Sequence, residues 1–242
     1  MSTDIVLIRG LLRGKYHWGP FTEKLQAVFP HRKIIAVDIP GCGELSLEIS
    51  PCSIEAMVES IRSQLALKAK VDIISLSLGG MIALKWAEIY PSEVSSVVCI
   101  NTSAKGFSPF YQRLRPKNYL KILSAFWASP FQREFLIYSI VSNKKMDLDV
   151  VSHWILINKL HPIKRVNFIR QLLAALRFET TKPDCRLLFI SSIQDTLVSS
   201  QATQAMAIRW QVALIKNEQD GHDIPLDNPD WLCQQLLSWL KD

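Results

Sequence analysis

No stretch of this 242-residue sequence is both long and apolar enough to span a bilayer. A span needs roughly 18 uninterrupted apolar residues, and the nearest approach, residues 122–141, is broken by Arg133 and Glu134. The N-terminus also lacks the basic segment, apolar core and small-residue cleavage site of a secretory signal, because Met-Ser-Thr-Asp leads straight into Ile5-Val6-Leu7-Ile8. A soluble, cytoplasmic protein with no transmembrane segment is expected. Cysteine is sparse and oddly numbered: Cys42, Cys52, Cys99, Cys185 and Cys233 fit neither a disulfide framework nor zinc-ligand spacing, and they suit a reducing compartment. The glycines nowhere form G-x-G-x-x-G after a strand, and Cys42, between Gly41 and Gly43, has no partner thiols or imidazoles at ligand spacing. No cofactor and no metal is expected. Repeats and low-complexity segments are absent as well.

What is present reads as one globular chain. Hydrophobic residues make up 48% and charged residues 21%, which is too apolar for disorder. Short runs rich in Val and Ile recur at residues 5–8, 33–37, 71–75, 94–100, 186–191 and 211–215. Strands buried on both faces have this composition. Helical spacing of apolar residues occupies 22–28, 53–69, 79–90, 201–208 and 231–241. Strand and helix therefore alternate, which predicts an α/β fold with a doubly wound, mostly parallel sheet of about six strands.

Residues 101–185 break the alternation. A structureless loop of that length is improbable, and the segment carries apolar residues at helical spacing around 119–127, 135–141, 150–160 and 166–176. It is read as a helical cap over 105–182, inserted between core segments 1–104 and 183–242. Positive charge concentrates there: 14 Lys and Arg stand against four Asp and Glu over 105–182, while the rest of the chain holds 14 against 18.

The chemistry centres on Val71-Asp72-Ile73-Ile74-Ser75-Leu76-Ser77-Leu78-Gly79-Gly80, which joins a strand to a helix. A sharp turn that exposes a nucleophile needs small residues two positions to either side, so that strand and helix can approach closely. Gly79 meets that need, and Ser75 stands where glycine is usual. The plainer reading makes Ser77 the cap of the next helix. A serine hydroxyl needs an imidazole to take its proton, and the imidazole needs an acid to fix its tautomer. Asp195 follows the strand at 186–191 and His222 follows the strand at 211–215. Asp220 and Asp184 are alternative acids. His17, His31, His153 and His161 read as surface or packing residues.

On these residues the chain resembles the α/β-hydrolase fold family over nearly its whole length. Ser-x-Ser-x-Gly at 75–79 is similar to that family's nucleophile turn, 190–198 to its acid-bearing segment, and Gly221-His222-Asp223-Ile224-Pro225 to its histidine loop. Val37 to Glu44 resembles a further signature turn. The resemblance implies a core lacking the N-terminal antiparallel hairpin, a catalytic set of Ser77, Asp195 and His222, and an oxyanion hole from the backbone N–H groups of Leu78 and Leu11. Leu11 follows Arg9-Gly10, where the family usually has His-Gly. The Arg9 guanidinium is read in two ways, as a binder of a substrate carboxylate or as a surface residue.

The implied activity is hydrolysis of a carboxylic ester or thioester through an acyl-enzyme. Phe107, Phe110, Tyr111, Phe126, Trp127, Phe131 and Phe135 are candidates to line the acyl pocket, with Arg9, Phe110 and Trp127 nominated for substrate contact; aromatic residues at this spacing also serve as core. Arg113, Arg115, Lys117, Lys121, Arg133, Lys144, Lys145, Lys164, Arg165 and Arg170 would give the roof a positive field. That layout resembles the pimeloyl-carrier-protein methyl esterases of biotin synthesis, and it implies an acidic acyl carrier protein as partner. Two alternatives come from other classes: a binding protein that has lost activity through Arg9 and Ser75, and a basic cap resting on an anionic membrane surface. No nucleic-acid motif is present.

Overall fold

The computed structural model describes residues 3–241. Six parallel strands form one sheet in the order β2-β1-β3-β4-β5-β6. They are β1 (Asp4–Ile8), β2 (Ile34–Val37), β3 (Val71–Leu76), β4 (Val94–Ile100), β5 (Arg186–Ser192) and β6 (Ala213–Asn217). Every residue of β3 is buried, as expected of a central strand with helices on both faces. Among the described residues no antiparallel pair joins this sheet.

On one face α2 (Ile54–Ser63), α3 (Leu78–Ile89) and α9 (Ser200–Trp210) bury Met57, Ile82, Trp86 and Met206 against Val6, Ile73 and Val97. On the other, α1 (Phe21–Val28) and α11 (Pro229–Leu240) bury Phe21, Leu25 and Leu236 against Ile5, Leu7 and Ile74. Alternate residues of each strand thus feed opposite layers, which is why these runs read as continuously apolar. Between β4 and β5 stand α4 (Phe110–Arg113), α5 (Tyr119–Trp127), α6 (Pro130–Val141), α7 (Leu148–Leu160) and α8 (Arg165–Arg177). Tyr138, Val151, Trp154 and Ile157 give α6 and α7 a small core of their own.

Several boundaries differ from the sequence expectation by a residue or more, and two have a visible local cause. The helix expected over 53–69 ends at Ser63, because the Gln64 side chain donates to the carbonyls of Asp38 and Ser60 and the chain turns away. Strand β6 starts two residues later than expected, because Gln211 takes a left-handed conformation (φ 54°, ψ 51°) to close α9.

Topology sets the position of the site. The chain leaves β1 outward to β2 and returns to β3, so the winding reverses between β1 and β3, and ligands of open α/β sheets sit at such a reversal, beyond the carboxyl ends of the strands. Ile8 pairs with Ser75, which brings the residues after each strand, Gly10 and Ser77, side by side.

Candidate active site

Ser77 occupies the turn from β3 into α3 with φ 57° and ψ −116°, a conformation that L-residues rarely adopt. Its surroundings over-determine it. The Ser77 N–H donates to the carbonyl of Ile100 (2.9 Å), its carbonyl accepts from the Gly80 N–H (2.9 Å) and the Thr102 hydroxyl (2.8 Å), and α3 begins at once with Leu78. Strain of this kind costs about 1–3 kcal/mol and persists where the fold imposes it. The glycines show why the turn closes so tightly. A Cβ at Gly79 would lie 2.3 Å from the carbonyl oxygen of Ile8, and one at Gly10 would lie 3.2 Å from the Ser77 Cβ. Ser75, where glycine was the usual expectation, is fully buried and its hydroxyl donates to the carbonyl of Val98 (2.7 Å). Its polarity is therefore met inside β4.

Asp195 and His222 meet across the ends of β5 and β6. His222 Nδ1 lies 2.7 Å from Asp195 Oδ2, with both side chains buried. The other carboxylate oxygen, Oδ1, accepts from the backbone N–H groups of Leu197 (2.8 Å) and Val198 (3.0 Å). Arg115 Nη1 donates to the Asp195 carbonyl. The alternative acids are placed elsewhere: Asp220 accepts from Asn217 Nδ2 (2.7 Å) and pairs with Lys144, and Asp184 is exposed. Asn101, at the end of β4 with φ 48°, donates through Nδ2 to the His222 carbonyl (2.8 Å) and accepts from the Ser192 N–H (2.7 Å).

The turn after β1 supplies the facing wall. The Arg13 N–H donates to the Gly10 carbonyl, and the Leu12 N–H donates to Gln171 Oε1 of α8 (2.9 Å). Leu78 is the first residue of α3, so its N–H belongs to the amides that have no partner within the helix. Leu11 and Leu78 border, with Ser77 and His222, one cavity of about 230 Å³, a little below the ~300–1,000 Å³ typical of ligand pockets. Its walls are mostly aliphatic, with Leu76, Met81, Ile137, Ile140 and Leu172 among them.

Arg9 lies neither on the surface nor free to hold a substrate carboxylate. It is 1% exposed, its Nη1 and Nη2 donate to the two carboxylate oxygens of Asp223 (3.1 and 2.6 Å), and its guanidinium lies 4.8 Å from the Trp18 ring centre. The pair ties the turn beside Ser77 to the residue after His222. The aromatic nominations also need correction. Phe110 and Trp127 are 64% and 67% exposed and stand apart from the cavity, where the aromatic rings among the described residues, besides His222, are Phe126 and Phe168 of α5 and α8. Helical spacing marks a face but does not say whether that face meets the pocket or the solvent.

Comparison with known proteins decides the family. A model of the alpha/beta hydrolase fold matches residues 5–229. The chain belongs to the alpha/beta hydrolase fold family. Within it, curated relatives of low identity include the pimeloyl-[acyl-carrier protein] methyl ester esterase of Neisseria meningitidis serogroup C, 32% identical over 41% of this chain and 36% of that protein. The enzyme of the same description from Aliivibrio fischeri is 33% identical over 42% of this chain and 37% of its own length. The match thus spans little more than a third of these relatives. Among solved structures, a thermophilic esterase from Thermogutta terrifontis superposes with a TM-score of 0.78 at 19% identity, covering all of this chain and 90% of that one. A hydrolase from Oleispira antarctica gives 0.79 at 16%, covering all of this chain and 92% of that one. At such identities the likeness concerns the fold.

The basic residues of 105–182 differ from their sequence expectation in where their charge goes. Arg113 is buried, donating to Ser103 Oγ and to the carbonyls of Ala175 and Leu176, and Lys164 and Arg170 donate to the carbonyls of Leu47 and Ser50. Lys117, Lys121 and Lys145 are exposed. Part of the positive charge therefore lies inside, a placement that counting residues cannot reveal.

Proposed function

We propose that this alpha/beta hydrolase fold protein cleaves carboxylic esters or thioesters with Ser77 as nucleophile, and that residues 105–182 act as its cap. The observation that carries the reading is a serine in strained conformation sharing a small, mostly apolar cavity with a histidine whose Nδ1 is held by a buried carboxylate. With the Nδ1 proton directed to Asp195, Nε2 of His222 is left to accept the Ser77 proton as Oγ attacks the carbonyl carbon. The oxyanion then forms beside the N–H groups of Leu78 and Leu11, whose removal in comparable sites costs about 3–4 kcal/mol of barrier lowering each. His222 returns the proton to the departing alcohol or thiol, leaving the acyl group on Ser77. Water attacks next, His222 takes its proton, and the acid leaves as Ser77 regains its own. The N–H groups of Leu197 and Val198 hold the Asp195 carboxylate in place, and through it the His222 ring.

A fluorophosphonate probe tests the reading. Wild type should be labelled and Ser77→Ala should not; absence of labelling in both would leave a fold-bearing protein without this chemistry.

A finer reading takes the acyl group to be presented on an acidic carrier protein in a reducing cytoplasm. It is supported by the relatives' description and by the exposed Lys117, Lys121 and Lys145 on the cap. Turnover of a carrier-linked ester should exceed that of the free ester and fall as salt rises. Equal, salt-insensitive rates would remove the carrier from the account.

A further inference from the structure

The cavity over Ser77 carries a charge imbalance. Five arginines border it, Arg9, Arg13, Arg113, Arg133 and Arg165, against two carboxylates, Glu134 and Asp223. Asp195 behind His222 raises the acidic count to three. Buried guanidiniums are ordinarily matched by acceptors, since an unpaired buried charge is costly. Two of the five are accounted for without a ligand. Arg9 is matched in charge by Asp223, with its Nε left unpartnered, and Arg113 spends its three nitrogens on Ser103, Ala175 and Leu176. Arg165 lies at the exposed rim, over the Phe126 and Trp127 rings.

Arg13 and Arg133 differ. They share one carboxylate: Arg13 Nη1 donates to Glu134 Oε2 (2.8 Å), and Arg133 Nε donates to Glu134 Oε1 (3.4 Å). Arg13 is 8% exposed and Glu134 1%, while the Arg13 guanidinium is braced 4.2 Å from the Trp154 ring centre. Each arginine retains a buried Nη2 with no protein partner. The cluster therefore holds two positive charges, one negative charge and two unused donors at the wall of the cavity. The positive field is felt nearby as well, because Arg13 and Arg9 add to burial in holding the His17 imidazole well below its usual range. Along α6 the cluster at Arg133 and Glu134 is separated from Val141, whose carbonyl accepts from the Asp223 N–H, by seven to eight residues, or ~11–12 Å at ~1.5 Å per residue.

We propose that Arg13 and Arg133 form an anion subsite for a free carboxylate carried on the substrate away from the scissile ester, so that a half-ester, one carboxyl esterified and one ionised, is preferred over a neutral ester. The aliphatic wall between the cluster and Ser77 takes the methylene chain, and the two Nη2 groups take the carboxylate. This rests on the reading of Ser77 as nucleophile for its orientation but not for the binding itself.

The test therefore uses Ser77→Ala, which cannot turn over by the proposed route, and measures binding by calorimetry. The ligands are monoethyl esters of linear dicarboxylic acids of increasing length, with the diethyl esters as neutral controls. The monoester should bind about tenfold more tightly than the diester at the best length, the scale of a charge-assisted pair. Adding Arg133→Gln, at a side chain only partly buried, should erase most of that ratio, and Glu134→Gln, which frees donors and removes a competing charge, should raise it. Equal binding of monoester and diester would overturn the subsite, as would a preference that survives Arg133→Gln or falls in Glu134→Gln. Fluorophosphonate labelling of wild type, read in parallel, reports on the catalytic reading alone.

Discussion

The Arg9–Asp223 pair gives the sharpest test of how the site is held. The two side chains are 2% and 4% exposed and joined by two hydrogen bonds. Asp223→Ala would leave a guanidinium buried against Trp18 with no counter-charge, a loss of about 3–5 kcal/mol. It would also remove the Asp223 Oδ1 acceptor for the Leu226 N–H (3.3 Å) that caps the short helix α10 (Ile224–Asp227), worth about 1 kcal/mol more. Against a total of ~5–15 kcal/mol for a typical domain, that is a large share. The double variant Arg9→Met, Asp223→Leu removes both charges together and should regain most of the loss, because an apolar pair can replace a buried ion pair at little cost. Urea unfolding of wild type, the single variants Arg9→Met and Asp223→Leu, and the double variant closes the cycle, with Asp223→Ala measured alongside. The reasoning fails if Asp223→Ala costs less than about 1 kcal/mol, or if the double variant loses the sum of the singles.

Three further outcomes follow from the same geometry. Gly79→Ala drives a Cβ into the carbonyls of Ile8 and Arg9 and should cost about 1–3 kcal/mol in urea unfolding, since neither backbone atom can step aside. Ser75→Ala should cost only about 0.5–1.5 kcal/mol, the worth of the hydroxyl's bond to Val98, and should leave the rate of fluorophosphonate labelling at Ser77 within twofold of wild type. His17, held neutral in the folded state by burial and by Arg13 and Arg9, has a folded pKa below its unfolded one. Its contribution is therefore complete above ~6.5 and is lost as pH falls below that value, by up to ~1.4 kcal/mol per pH unit. The fall in stability between about pH 7.5 and about pH 5.5 should be smaller in His17→Gln than in wild type, and equal falls would contradict the assignment.

The architecture was legible because its signals are local. Apolar runs alternating with helical patterns specified six parallel strands, and the Ser75–Gly79 spacing marked the tight turn. Asp195 and His222 were nominated by the loops they occupy, and the structure brings them within hydrogen-bonding distance. What escaped depends on contacts between distant segments. Arg9 and Asp223 are far apart in the chain, so nothing near Arg9 indicated that its charge was already matched. Asn101 and Gln171 support the His222 loop and the Leu12 turn through single side-chain bonds that carry no periodic signal. The polar Asn directly after the apolar run of β4 was the one available hint. Phe110 and Trp127 were misplaced for a different reason. Apolar spacing finds the face of a helix, and the helices between β4 and β5 have more apolar faces than the cavity can use, leaving Leu120, Leu123, Trp127 and Phe131 exposed.

The central claim is that a covalent acyl group forms on Ser77. Rapid quenching of wild type with an activated ester, followed by mass mapping of peptides, tests it directly. The account predicts a burst of about one equivalent of alcohol per chain and one acyl group on the peptide bearing Ser77, with both lost in Ser77→Ala and slowed by about 10³-fold or more in His222→Ala. Turnover with no burst and no acyl peptide, or with the acyl group on another residue, would contradict it.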